Sequence, residues 1–349
     1  MAGRDSCNYG DIYITDEGKL FVKDVIEPWD EPCHIDNEGV VYCFNEDKIK
    51  YATVNSGRLT IPNYVYYEPD LSGSIATVLS LSGGAKGTVD TVSLSPGYYR
   101  AIISGAGGGG GGASGDWSSD TDAHGSPPVP GCGGGGGGGA GSCLKLALPL
   151  GTILLAGGGG GGGGGIYDSR LTNGSYGGYG GASGHSGYAG SAGLTFQGDY
   201  AGGVGGVAGE SLFTTQVGTM SEAIGGSNTH LSSPVLPGNG DIEIIWANLL
   251  ARSVVKQLAG GANNGGSGGS KHTSFSTAGQ KGGSGGFIDV MFLLSYAVSI
   301  EAYAGGCGGF AKGGIGSYVF AKTYRPQTGN SGLSGGEGSI QILRYPDPS

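Results

Sequence analysis

CLKLALPLGTILLAGGGGGGGGG, residues 143–165, sets an apolar block directly against nine consecutive glycines at 157–165. The same junction recurs along the chain. YYRAIIS (98–104) opens into the glycines of 105–112, and DIEIIWANLLARSVVKQL (241–258) into AGGANNGGSGG. FIDVMFLLSYAVSIEAY (287–303) opens into AGGCGGFAKGG, and two further strand-like blocks lie at 317–324 and 339–345. A block followed by a run, repeated, is an architectural pattern. Its spacing is irregular, so it does not predict a solenoid. The block at 241–258 also fits a helix, with Ile245, Leu249, Arg252 and Lys256 three or four apart. Its β-branched content and its likeness to the other blocks favour a hairpin.

Glycine runs in flexible linkers are usually mixed with serine and lie between domains. Here the purest runs abut apolar strands, so the strands deliver several runs to one region of space. An extended polyglycine helix has three residues per turn and rises about 3.1 Å per residue, so nine residues span about 28 Å. It makes no internal hydrogen bonds, and its buried N–H and C=O groups must pair with neighbours. Close packing leaves no room for a Cβ, which requires glycine at interior positions, Gly109, Gly136 and Gly161 among them. Ordering a residue costs about 1–2 kcal/mol, and a hydrogen bond returns about 0.5–1.5 kcal/mol net. Such a lattice is marginal alone and depends on the apolar strands at its ends.

The chain has 81 glycines in 349 residues, yet 37% of it is hydrophobic and only 13% charged, which provides for a core and argues against a disordered polar chain. Residues 1–75 carry a net charge of −8 and the remainder −2. That acidic head reads as short strands, with hairpins at GDIYITDEGKLFVKD and GVVYCFNEDKIKYATV and a further strand or two in GRLTIPNYVYYEP. We expect an N-terminal β attachment domain over 1–75 and a glycine-rich domain over 76–349. An acidic chain without a basic stripe is a poor nucleic-acid binder. No apolar stretch is long enough for a membrane helix, and the N-terminus lacks a signal-peptide core. These features predict assembly in the cytoplasm and free, buried cysteines, although Cys132 and Cys143 bracket a glycine run.

No catalytic constellation stands out, and no cofactor is implied. The many G-x-G-x-x-G matches follow from composition, and the P-loop and H-E-x-x-H patterns are absent. DTDAHG (120–125) begins like a calcium loop but lacks the closing Glu, so it reads as a polar loop. Cys7, Cys33, His34 and Cys43 do not have zinc-knuckle spacing, and no metal is expected. The stretch IYDSRLTNGSYGGYGGASGHSGYAG (166–190) places Tyr167, Tyr176, Tyr179, His185 and Tyr188 among Gly and Ser. Rigid aromatic rings beside adaptable polar groups are the composition of binding loops. Trp117 and His124 mark a second candidate loop at 116–130. The competing reading has the tyrosines as outer packing on a glycine bundle.

SLSPGYYRAIISGAGGGGGG (93–112), the hairpin between two glycine runs at 133–165, and GGEGSIQILRY (335–345) resemble the glycine-rich domains of phage tail and tail-fibre proteins. The resemblance covers about residues 90–345. It implies an all-β fold in which sandwich-like strands anchor a bundle of polyglycine II helices. It also implies a non-enzymatic virion protein, a tail-fibre or tail-tip adhesin that meets other tail proteins and a host surface glycan or outer-membrane protein. Fibres of this kind are usually homo-oligomers, often homotrimers. A non-viral extracellular fibre protein and a glycan-degrading surface enzyme are the alternatives.

Overall fold

The computed structural model describes residues 74–115, 132–146, 153–166, 180–181, 185–193, 203–215, 218–228, 234–245, 252–270, 277–294, 297–313, 315–320 and 323–346, together with six strands between residues 11 and 60. These residues are all-β, with no helix among them. The six N-terminal strands are β1 (Asp11–Ile14), β2 (Leu20–Lys23), β3 (Cys33–Ile35), β4 (Val40–Asn45), β5 (Lys48–Asn55) and β6 (Arg58–Thr60). They pair in chain order as an antiparallel sheet, which includes the expected β1–β2 and β4–β5 hairpins.

The next strands are β7 (Ala76–Ser82), β8 (Thr88–Leu94), β9 (Gly97–Ser104), β10 (Ser142–Leu146), β11 (Ile153–Ala156) and β12 (Ile242–Ile245). They are followed by β13 (Arg252–Leu258), β14 (Phe287–Leu294), β15 (Val298–Ala304), β16 (Ile315–Phe320), β17 (Thr323–Thr328) and β18 (Ser339–Arg344). Two five-stranded antiparallel sheets result, in the orders β12-β11-β10-β15-β8 and β13-β14-β9-β18-β7, and β16 pairs with β17.

One core joins the two sheets. Burial alternates along β9, so Tyr99, Ala101 and Ile103 point inward with Ile288, Val290 and Phe292 of β14. They belong to the same cluster as Leu144, Leu146, Leu154 and Ile300 of the other sheet. Tyr99 stacks on Phe292 with ring centroids 5.8 Å apart. Each fully buried side chain of this size contributes about 1.5–3 kcal/mol. Away from this core, Arg100 grips Asp289 with two hydrogen bonds, Nε to Oδ1 at 2.7 Å and Nη2 to Oδ2 at 2.6 Å. That charge-assisted contact holds the guanidinium pKa above its ordinary value.

Eight strands continue directly into glycine-rich segments: β9, β11, β13 and β15 run into them, and β10, β12, β14 and β18 emerge from them. This continuity corrects the hairpin expected over 241–258. Both halves are strands, but β12 pairs with β11 and β13 with β14, in different sheets. The glycine segments carry the pairing. Gly160 N–H donates to Gly238 O and Gly157 N–H to Asp241 O, which sets β12 beside β11. Gly282 N–H donates to Gly266 O and Gly279 N–H to Gly269 O, which sets β13 beside β14.

Within the segments the hydrogen-bond partner changes at every residue and returns at every third. From residues 105–114, the N–H groups of Gly105, Gly108, Gly111 and Ser114 donate to Gly286, Gly283, Gln280 and Thr277. Those of Ala106, Gly109 and Gly112 donate to Ala140, Gly137 and Gly134, and those of Gly107, Gly110 and Ala113 to Gly336, Leu333 and Asn330. The carbonyls serve three other segments in the same rotation. Ala106, Gly109 and Gly112 accept from Gly159, Gly162 and Gly165; Gly107 and Gly110 from Gly308 and Ala311; Gly108 and Gly111 from Gly266 and Gly269. Residues 105–114 are thus surrounded by six segments.

The change from sheet to glycine array has a chemical marker. Stacked sheets lie about 10 Å apart because side chains fill the gap, whereas the glycine segments bond backbone to backbone. At the junction stands Ser142, fully buried. Its Oγ donates to Ser104 O at 2.7 Å, the end of β9, and accepts from Gly305 N at 3.0 Å, just past β15. Ser142→Ala removes the partner of the buried Gly305 N–H and is expected to cost about 1–3 kcal/mol. The check is a lower urea midpoint with an unchanged slope.

Candidate functional site

The glycine array is the frame on which any site is built. A Cβ added to Gly161 would stand 1.9 Å from Gly136 O, one at Gly136 2.1 Å from Gly109 O, and one at Gly109 2.0 Å from Gly309 O. The three glycines singled out in the sequence therefore form one line of contacts across four segments. At the edge of the array glycine is needed on fewer sides. Residues 203–210 keep Gly203, Gly206 and Gly209 against their neighbours and expose Val204 and Val207.

Residues 185–193, HSGYAGSAG, form another edge segment. Gly187, Gly190 and Gly193 approach the backbone of 132–139, where a Cβ would meet carbonyl oxygens at 2.0–2.4 Å. The carbonyls of His185, Tyr188 and Ser191 accept from Gly141, Gly138 and Gly135. Three residues per repeat therefore set His185 and Tyr188 in one row, while glycine holds the row against the array.

That row forms one wall of an open cleft of about 720 Å3. The opposite wall comes from residues 211–214 and 218–222. Its near end is fixed by Ser211 N–H donating to Ser186 Oγ at 2.8 Å. Its far end is fixed by Thr219 N–H donating to Glu243 Oε2 of β12 at 2.8 Å. Gly218, with φ of 79°, lies so close to the Glu243 carboxylate that a Cβ there would meet it at 2.3 Å.

Across the cleft, the Tyr188 hydroxyl donates to Glu222 Oε1 at 2.8 Å. This hydrogen bond and the charge of the carboxylate raise the phenol pKa above its ordinary value. Half of the Tyr188 side chain remains exposed. The His185 ring packs on Phe213 at 5.8 Å, and Phe213 rests edge-on against Tyr303 at 5.1 Å. Phe213 is buried with Cys143 and Leu155, so the floor of the cleft is continuous with a small apolar cluster. Burial drives the Cys143 thiol pKa well above its usual range, which keeps it protonated and unreactive.

Of the candidate binding residues, the structure brings His185 and Tyr188 together. Tyr167, Tyr176, Tyr179, Trp117 and His124 lie outside the described residues. Sequence reasoning missed Glu222, Phe213, Ser211 and Thr214, which share the cleft. Each is isolated in a Gly/Ser/Thr-rich stretch, and only the pairing of edge segments brings it to Tyr188. The third-residue glycines at 187, 190 and 193 were the readable signal for the row. Cys132 and Cys143 are both buried, and no disulfide joins them. Among the described residues there is no cluster of His, Cys, Asp and Glu suited to a metal ion. Comparison with family models, curated proteins and solved structures gives no match to this chain.

Proposed function

We propose that the glycine segments are polyglycine II helices packed as a bundle on a sandwich-like pair of sheets, and that the chain is a structural protein of a phage tail. In this reading it is a tail-fibre or tail-tip adhesin. The N-terminal domain attaches to other tail proteins, and loops on the rigid glycine scaffold meet a host surface glycan or outer-membrane protein. The observation that carries the helix reading is the threefold return of hydrogen-bond partners along residues 105–114. A helix with three residues per turn and no internal bonds offers its N–H and C=O groups outward in that rotation.

The likeness of 93–112, 133–165 and 335–345 to tail-fibre glycine-rich domains supports the virion role, and an open cleft on the array's edge offers a place for recognition. A gold-labelled antibody against the chain, applied to phage particles released from cells that carry the gene, is expected to decorate the tail. Unlabelled particles, with label on the cell envelope, would instead support a non-viral fibre protein.

A further inference from the structure

We infer that the cleft between residues 185–188 and the segments 211–214 and 218–222 binds an uncharged saccharide. The inference rests on the recognition role just proposed and specifies its ligand. The cleft volume of about 720 Å3 is in the range of small-ligand sites, roughly 300–1,000 Å3. An exposed aromatic ring, Tyr188, stands at its wall, and a second ring, His185, is braced from behind by Phe213 and Tyr303. The electron-rich face of such a ring attracts the positively polarised C–H face of a pyranose.

The polar groups distinguish a sugar from other occupants. Glu222 Oε1 accepts a hydrogen bond from the Tyr188 hydroxyl, and the carboxylate has further lone pairs to accept hydroxyl donors. Ser186 Oγ accepts from Ser211 N–H, and Ser211 Oγ accepts from Phe213 N–H at 3.2 Å, so both hydroxyl hydrogens are left to donate. The lining thus offers a carboxylate acceptor and hydroxyl donors within one cleft. Sugar hydroxyls, which donate and accept, match that set. An ammonium group only donates and would leave the serine hydroxyls without acceptors. Among the described residues no Lys or Arg lines the cleft, and Glu222 repels anions, so phosphate, uronate and sialate groups are disfavoured. An apolar ligand would strip Glu222 of water without returning hydrogen bonds.

The test is a glycan array probed with the fluorescently labelled full chain, bearing neutral, anionic and amine-bearing glycans side by side. The expected result is binding confined to neutral glycans. Tyr188→Ala and Glu222→Gln should each weaken it at least ten-fold in titrations of the best neutral glycan. Both side chains are exposed, so the melting temperature of each variant should match the parent, which separates loss of binding from loss of fold. Binding only to anionic or amine-bearing glycans, no binding at all, or neutral-glycan binding indifferent to both variants would overturn the assignment. A chain that labels the tail but binds no neutral glycan defeats the sugar site and leaves the tail role standing. A chain that binds the sugar but is absent from virions does the reverse.

Discussion

Gly161→Val is expected to lower stability by about 3 kcal/mol or more, at or beyond the upper end of overpacking effects. The reason is geometric. The first added carbon would stand 1.9 Å from Gly136 O, and the obstacle is backbone, with no rotamer to yield. Gly136 in turn abuts Gly109, and Gly109 abuts Gly309, so a displacement at residue 161 is passed across four segments. In a domain of this size the loss corresponds to a melting temperature lower by roughly 6–12 °C, with faster proteolysis of the glycine runs. A matched pair within one edge segment sharpens the test. Gly206→Val drives a Cβ to 2.1 Å from Gly309 O and should destabilise strongly. Val207→Ala trims a side chain that is 71% exposed and should change stability by no more than about 0.5 kcal/mol. If residues 203–210 were a flexible linker, both changes would be silent.

The second large effect is expected at the Arg100–Asp289 pair. Arg100→Ala leaves the Asp289 side chain, 7% exposed, as a buried carboxylate without its cation. The pair is part-buried, with the Arg100 side chain 30% exposed, and losing its charge-assisted hydrogen bonds is expected to cost about 1.5–3 kcal/mol. The consequence extends beyond the sheet. Arg100 sits on β9, which continues into the central glycine segment, and Asp289 sits on β14, which emerges from a segment beside it. Loosening these strands loosens the anchor for both segments. Arg100→Leu combined with Asp289→Leu removes both charges and should recover most of the loss, because no buried charge is left unpaired. Urea midpoints of the single and double variants decide the matter. A single variant as stable as the parent would mean that the pair anchors nothing.

Much of this architecture was legible in the sequence, for reasons particular residues make plain. The apolar blocks at 143–155, 287–303 and 339–345 read as strands because β-branched and large apolar residues favour a half-buried pleated surface. Their partners were not legible. Block 241–258 has the composition of a hairpin, yet its two strands join different sheets because each is placed by the glycine segment attached to it. A stretch of identical glycines has no side chain with which to announce its neighbours. The informative places are the edges, where HSGYAGSAG and GGVGGVAG keep glycine at every third residue and carry other side chains between. His185 and Tyr188 could be nominated by type. Glu222 could not, because 34 residues separate it from the tyrosine whose hydroxyl it accepts.

The central claim is that the glycine runs are ordered by hydrogen bonds to one another. Backbone amide hydrogen exchange, resolved by residue across 105–114, 133–141 and 157–165, tests it most directly. The account predicts that Ala106–N to Ala113–N exchange as slowly as the amides of β9 and β14, because each donates to a neighbouring segment inside the array. Exchange of these glycine amides at the rate of an unstructured peptide, while β9 and β14 stay protected, would contradict it.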